Sequence, residues 1–274
     1  MINYVRMEQR YIDLYKKFAQ TIGTSYGCPM LAESICSGLD ALIEAINTED
    51  IASTSKYINL MTEYLINLLN KNKQVLTDRL AELFNGSKKK INIGIHPEKV
   101  IGLPTELLRQ LPKSIIIRIT VGNEDKAVAE AVISGTKSAD ILLYIGYHYS
   151  VSDIMDAIPH CIPHELRHIF DAFNPRQTDM MKASMLANAG DEDAYSNDDA
   201  ELNARLSAVV SNGYNLLKDP DIREHIHTPE DVISELQDTL SYQYLMDASS
   251  PDQTEEIYDY LVDIFSRIME KKVT

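Results

Sequence analysis

The apolar positions of this chain change their period twice. Up to about residue 85 they recur at helical spacing: in "YINLMTEYLINLL", Tyr57, Leu60, Met61, Tyr64, Leu65, Leu68 and Leu69 fall on one face of an amphipathic helix. Gly23 and Gly27, in "IGTSYGCP", punctuate two earlier helices. After the charged turn "NGSKKK" (85–90), four short segments crowd Ile, Val and Tyr between Gly, Pro, Asn and Lys: "INIGIH" (91–96), "SIIIRITV" (114–121), "AVAEAVIS" (127–134) and "ADILLYIGYHY" (139–149). These read as strands of a small mixed or antiparallel sheet, with a short helix around "PTELLRQL" among them. Helical spacing returns from residue 152. "TPED" (228–231) offers Thr228 as N-cap, Pro229 at the first helical position and Asp231 three after the cap, and "SPDQ" (250–253) repeats this logic with Ser250 and Gln253. The last helix has Ile257, Leu261, Ile264 and Ile268 to bury. The pattern predicts an α+β fold with a helical N-terminal region (1–90) and a domain over 91–274, divided into a sheet part (91–152) and a helical part (153–274).

Within the returning helical pattern, "SDIMDAIPHCIPHELRHIFDAF" (152–173) mixes coordinating side chains into an apolar stripe of Ile154, Ala157, Ile158, Leu166, Ile169 and Phe170, with Ser152 as candidate cap. Pro163 removes one helical hydrogen bond, so the helix is either kinked there or begins there. His164, Glu165 and His168 form H-E-x-x-H in both cases. Positions four apart on a helix lie one above the other, so both imidazoles point the same way and share one metal ion. Glu165 projects about a quarter-turn away, where it reaches a water without ligating the metal, and serves as general base. The bland alternative is a helix whose histidines make ordinary hydrogen bonds.

A zinc ion needs a third protein ligand. "DEDAYSNDDAELNARLSAVVSN" (191–212) supplies carboxylates about thirty residues later. Glu201 is the choice, because it opens an apolar-periodic helix through Leu202, Leu206, Val209 and Val210, with the small Ala204 allowing close packing on the motif helix. Glu192, Asp198 and Asp199 suit a loop or the first turn of that helix, where acids favour the dipole. Around the triad, Asp171 lies on nearly the same face as the ligands, either accepting the second ring N–H of one of them or pairing with an arginine such as Arg205. His160, one turn before His164, fits a core or supporting histidine better than a third ligand from one helix. Tyr195, Tyr214, His225 and His227 are candidate donors to an oxyanion, and Arg167 is expected to face solvent or an acidic neighbour.

Composition narrows the partners. The net charge of −15 disfavours a nucleic-acid binder and favours basic partners or cations. No apolar run reaches the roughly 20 residues of a membrane span, and "MINYVRMEQRYIDLYKKF" lacks the apolar block of a secretion signal. Cys28, Cys36 and Cys161 are too few and scattered for a disulfide framework and have no CxxC pair, so they read as reduced thiols of a cytoplasmic protein.

A strand-rich segment, "HELRH" on a helix and a downstream "ELNAR" helix together resemble the zincin metallopeptidases, in particular the glutamate-liganded gluzincin branch, over about residues 91–217. The resemblance implies a zincin-like fold, a zinc cofactor held by His164, His168 and Glu201, and Glu165 as general base. It departs from thermolysin in the spacing to Glu201 and in lacking a longer pattern on the second helix. It also gives Asp140–Tyr147 a meaning: zincins lay an edge strand over the active-site helix to hold an extended peptide by strand addition, although an ordinary buried strand fits this segment equally. The expected function is a zinc endopeptidase, with basic segments favoured near the scissile bond by the acidic loop 191–199. Such a small chain would suit a phage or a bacterial effector set. Two rivals are a zincin-like scaffold that keeps zinc as a structural clamp for interaction or assembly, and a metal-free helical binding protein.

Overall fold

The computed structural model describes residues 29–122, 127–133, 137–173, 199–249 and 251–273. Contacts divide the chain at Asp50/Ile51 into two compact units. Helix α1 (Pro29–Lys71) begins in the first unit, and from Ile51 onward it belongs to the second, which contains everything described below. Residues 51–84 therefore do not stand apart at residue 90 with the helices before them. Ile58, Met61 and Leu65 of α1 and Leu80 and Leu83 of α2 (Lys73–Phe84) lie in one apolar core with strand residues Ile91, Ile117 and Ile141. The positions of Gly23 and Gly27 lie outside the described residues.

All four expected strands form: β1 (Ile91–Ile95), β2 (Ser114–Val121), β3 (Val128–Ile133) and β4 (Ser138–Ile145), with helix α3 (Thr105–Gln110) between β1 and β2. The sheet order is β1-β2-β4-β3. β2 and β4 are parallel, and the two outer pairs are antiparallel, so the sheet is mixed. Strict alternation puts Ile115, Ile117 and Ile119 of β2 and Ala139, Ile141, Leu143 and Ile145 of β4 on one buried face. On the other face Arg118 of β2 meets Asp140 of β4 through both carboxylate oxygens at 3.0 Å. Of the two readings of Asp140–Tyr147, the buried strand is the one found: its residues up to Ile145 lie in β4, with a neighbouring strand on each side. The parallel β2–β4 pairing places β3 on the outside.

Helix α4 (Val151–Phe173) carries the motif and is continuous through both Pro159 and Pro163. Two lost amide donors are tolerated because its apolar stripe, Ile154, Ile158, Ile162, Leu166 and Ile169, is buried under the sheet. Its cap is Ser150 rather than Ser152: the Ser150 N–H and hydroxyl donate to the Asp153 carboxylate, whose own N–H reaches back to Ser150.

A second apolar core lies among helices. α5 (Asp199–Leu216) packs along α4, and its Leu206, Val209 and Val210 meet Val232, Ile233 and Leu236 of α7 (Pro229–Leu236), Leu245 of α8 (Leu240–Asp247) and Ile257, Leu261, Ile264, Phe265 and Ile268 of α9 (Pro251–Val273). The one-turn helix α6 (Pro220–Arg223) joins α5 to α7. Thr228 and Asp231 form the expected reciprocal cap of α7, whereas Ser250 lies outside the described residues. At Gly213 the α5 backbone touches the Phe265 ring, and a Cβ there would overlap it. Among the described residues no helix is long and apolar enough to cross a membrane.

Candidate metal centre

The α4 turn that follows Pro163 projects His164 and His168 toward α5, and the first turn of α5 returns Glu201 between them. The Glu201 Oε1 lies 3.2 Å from His164 Nε2, its Oε2 lies 3.3 Å from His168 Nε2, and the two Nε2 atoms are 3.1 Å apart. Ala204, fully buried one turn along α5, leaves room for this approach. The three residues are close enough together to hold a metal ion.

The arrangement fits a cation on its own terms. Two imidazole nitrogens face each other, and only one can donate a proton to the other. Glu201 Oε2 is buried without a well-aligned hydrogen bond, a costly state for a carboxylate oxygen. Two nitrogens and one oxygen are also the ligand types of a catalytic zinc site. Electrostatics agree. Burial alone would raise the Glu201 pKa, but the two imidazoles outweigh it and hold the carboxyl far below its usual range. Burial likewise opposes the charged form of His168, yet Glu201, Glu165 and Asp171 together raise its pKa.

Glu165 stands beside the triad, its Oε1 3.9 Å from His164 Nε2. Burial raises its pKa, against the pull of both histidines and of a hydrogen bond from the Ala131 backbone N–H. That bond comes from β3, one of the two outer strands of the sheet. Since main-chain groups alternate in direction along a strand, Ala129 and Ile133 point their N–H and C=O groups to the same side as Ala131. Among the described residues no strand pairs with this side of β3, which lies next to Glu165 and is flanked by the exposed Val128 and Ile133.

The supporting residues divide. Asp171 pairs with Arg167 (2.9 Å), both buried, and also acts on His168 through its charge. Arg167 is only 1% exposed, so of its two expected surroundings the acidic one is found and solvent is not. Arg205 turns toward Glu201, with Nη2 3.3 Å from Oε1. His160 is half-buried one turn before His164; its Nδ1 has no hydrogen-bond partner, and burial lowers its pKa. Tyr214 is not an oxyanion donor: its hydroxyl donates to the Ala52 carbonyl, about 20 Å along α5 from Glu201. His225 and His227 are exposed, and the His227 N–H is engaged with Asp231 at the α7 cap. Tyr195, Glu192, Asp198 and the loop 191–198 lie outside the described residues, as does the side chain of Asp199. Cys161, three before His164, is half-buried; its thiol donates to the Ala157 carbonyl, and burial pushes its pKa up to about 12, which disfavours the reactive thiolate.

One residue at this site was missed from the sequence. Tyr244 of α8 carries its ring 5.2 Å from the Arg205 guanidinium. Nothing local in "LSYQYLMD" marks it, because its neighbour comes from another helix. Comparison with protein-family models, with curated proteins and with solved structures found no match for this chain. The reading of the site therefore rests on its chemistry.

Proposed function

We propose that this protein is a zinc-dependent peptidase of zincin type, with His164, His168 and Glu201 as ligands and Glu165 as general base. The observation that carries the reading is the placement of Glu165: it adjoins a buried N,N,O triad on one side and, on the other, the β3 edge, which no other strand of the described residues pairs. A purely structural metal site needs neither a spare buried carboxylate nor an open edge beside it. When bound, zinc supplies a Lewis acid that polarises a carbonyl and brings the pKa of a water near neutrality.

The chain's own groups supply the rest. The β3 edge aligns an extended peptide by main-chain hydrogen bonds, which accept many sequences. The Ala131 N–H fixes one Glu165 oxygen. Burial raises the proton affinity of this carboxylate, so it takes a proton from the attacking water and delivers it to the amine nitrogen as the C–N bond breaks. The excess of acidic residues, 41 against 26 basic, favours substrates with basic segments.

The test is zinc stoichiometry together with cleavage of a basic peptide library by the parent and by Glu165→Gln. The expected result is one zinc per chain, with cleavage reduced about 10²- to 10⁴-fold in the variant. One bound zinc with equal cleavage by both proteins would overturn the catalytic role and leave a metal-clamped scaffold.

A further inference from the structure

Arg205 lies between two groups of different character. Its Nη2 is 3.3 Å from Glu201 Oε1, the carboxylate oxygen on the His164 side. Its guanidinium carbon stands 5.2 Å from the Tyr244 ring centroid. The arginine is 5% exposed while Tyr244 is 58% exposed, so the ring forms the solvent side of a stack whose buried end is the triad. α8 is held there by packing on both α5 and α4.

A guanidinium does not lose its proton and donates in a rigid fork, so it keeps a charged donor against Oε1 whatever the pH. Oε2 is left buried and without a well-aligned hydrogen bond. The two oxygens of one carboxylate are thus made unequal by a neighbour on the same helix. The ring over the guanidinium resists its swinging away, because a cation–π contact is worth more when the cation is shielded from water.

We propose that Arg205, clamped by the Tyr244 ring, is a positioning residue that makes Glu201 a one-oxygen metal ligand through Oε2 and keeps Oε1 from coordinating. This rests on the triad being a metal site. Tyr244 acts through its ring and not its hydroxyl. The arrangement holds coordination low, so a position on the ion stays open for a water or a carbonyl.

Cobalt substitution reads this directly, since visible absorption of the ion is stronger in four-coordinate than in five-coordinate sites. The full-length protein is loaded with cobalt, and spectra are compared for the parent, R205M, R205K, Y244A and Y244F. In R205M the freed Oε1 joins the ion, and absorption per bound cobalt falls about threefold. R205K restores part of the loss because it keeps a charge near Oε1. Y244A shifts the spectrum in the same direction by less, and Y244F matches the parent. Should R205M not fold or not take up cobalt, the exposed-site pair Y244A and Y244F decides. Parent-like spectra in every folded variant, or a Y244F change as large as that of Y244A, would overturn the positioning role while leaving the metal site standing. A parent protein that takes up no cobalt would overturn the site itself, and this proposal with it.

Discussion

The two sides of α4 are built on different principles. Toward the sheet it presents Ile154, Ile158, Ile162, Leu166 and Ile169, each buried against many neighbours and none dependent on direction. Toward α5 and β3 it presents His164, Glu165, Arg167, His168 and Asp171, whose contacts are few, oriented and mutually dependent. An apolar face accepts any side chain of similar volume. A buried polar face accepts almost nothing singly, because each deletion strands its partner. The helix thus anchors itself with one side and gathers the candidate metal ligands on the other.

The largest effect should come from stranding a charge. Asp171→Ala leaves Arg167 buried beside lost carboxylate oxygens and should cost about 3–5 kcal/mol in denaturant unfolding. The double change Arg167→Met with Asp171→Leu should recover most of it, and equal losses in the single and double variants would show the pair is not coupled. On the apolar side, Ile141→Ala, at a fully buried centre of the sheet, should cost about 2–5 kcal/mol while the surviving folded protein binds zinc with parent affinity. A large fall in zinc affinity there would erase the distinction between the two sides. Next in size, zinc at 100 times its Kd should add about 2.7 kcal/mol to the parent and nothing to His168→Ala.

The smallest effect is the pH response of the metal-free protein. Glu201 has a folded pKa below its ordinary 4.5, so its stabilising contribution is present above that pH and is lost as pH falls through the lower folded value. His168 has a folded pKa above its ordinary 6.5, so its contribution is present below 6.5 and is lost as pH rises through the higher folded value. Stability from this pair should therefore be greatest between about 4.5 and 6.5, and His168→Ala should flatten the profile. A variant profile parallel to the parent's would place the titration elsewhere.

Much of this arrangement could be read from residue order. Alternating Ile in 114–121 and 139–145 marked the strands, and the four-residue spacing of His164 and His168 marked a shared direction that the structure places opposite Glu201. Other features depend on what meets across the fold. Strand adjacency is not sequence adjacency, so residue order left open whether β4 lay at the edge or between neighbours. Ser150 and Ser152 offer the same hydroxyl, and only the reach of Asp153 selects the first. Solvent and an acidic neighbour were both open to Arg167, and only the folded position of the Asp171 carboxylate selects the second. Tyr244 was invisible for the same reason, its partner lying on another helix.

The contact at Gly213 reaches further than the spot where it occurs. α5 is a rod, and Glu201 sits on it about 18 Å from the point pressed against Phe265. A methyl group at residue 213 would have to shift the ring or lift the rod, and a lift at one end tilts the other. The packing of α9 on α5 thus helps set where the Glu201 carboxylate lies. Drift in its packing would be felt first as a misaligned carboxylate, long before the fold itself gave way.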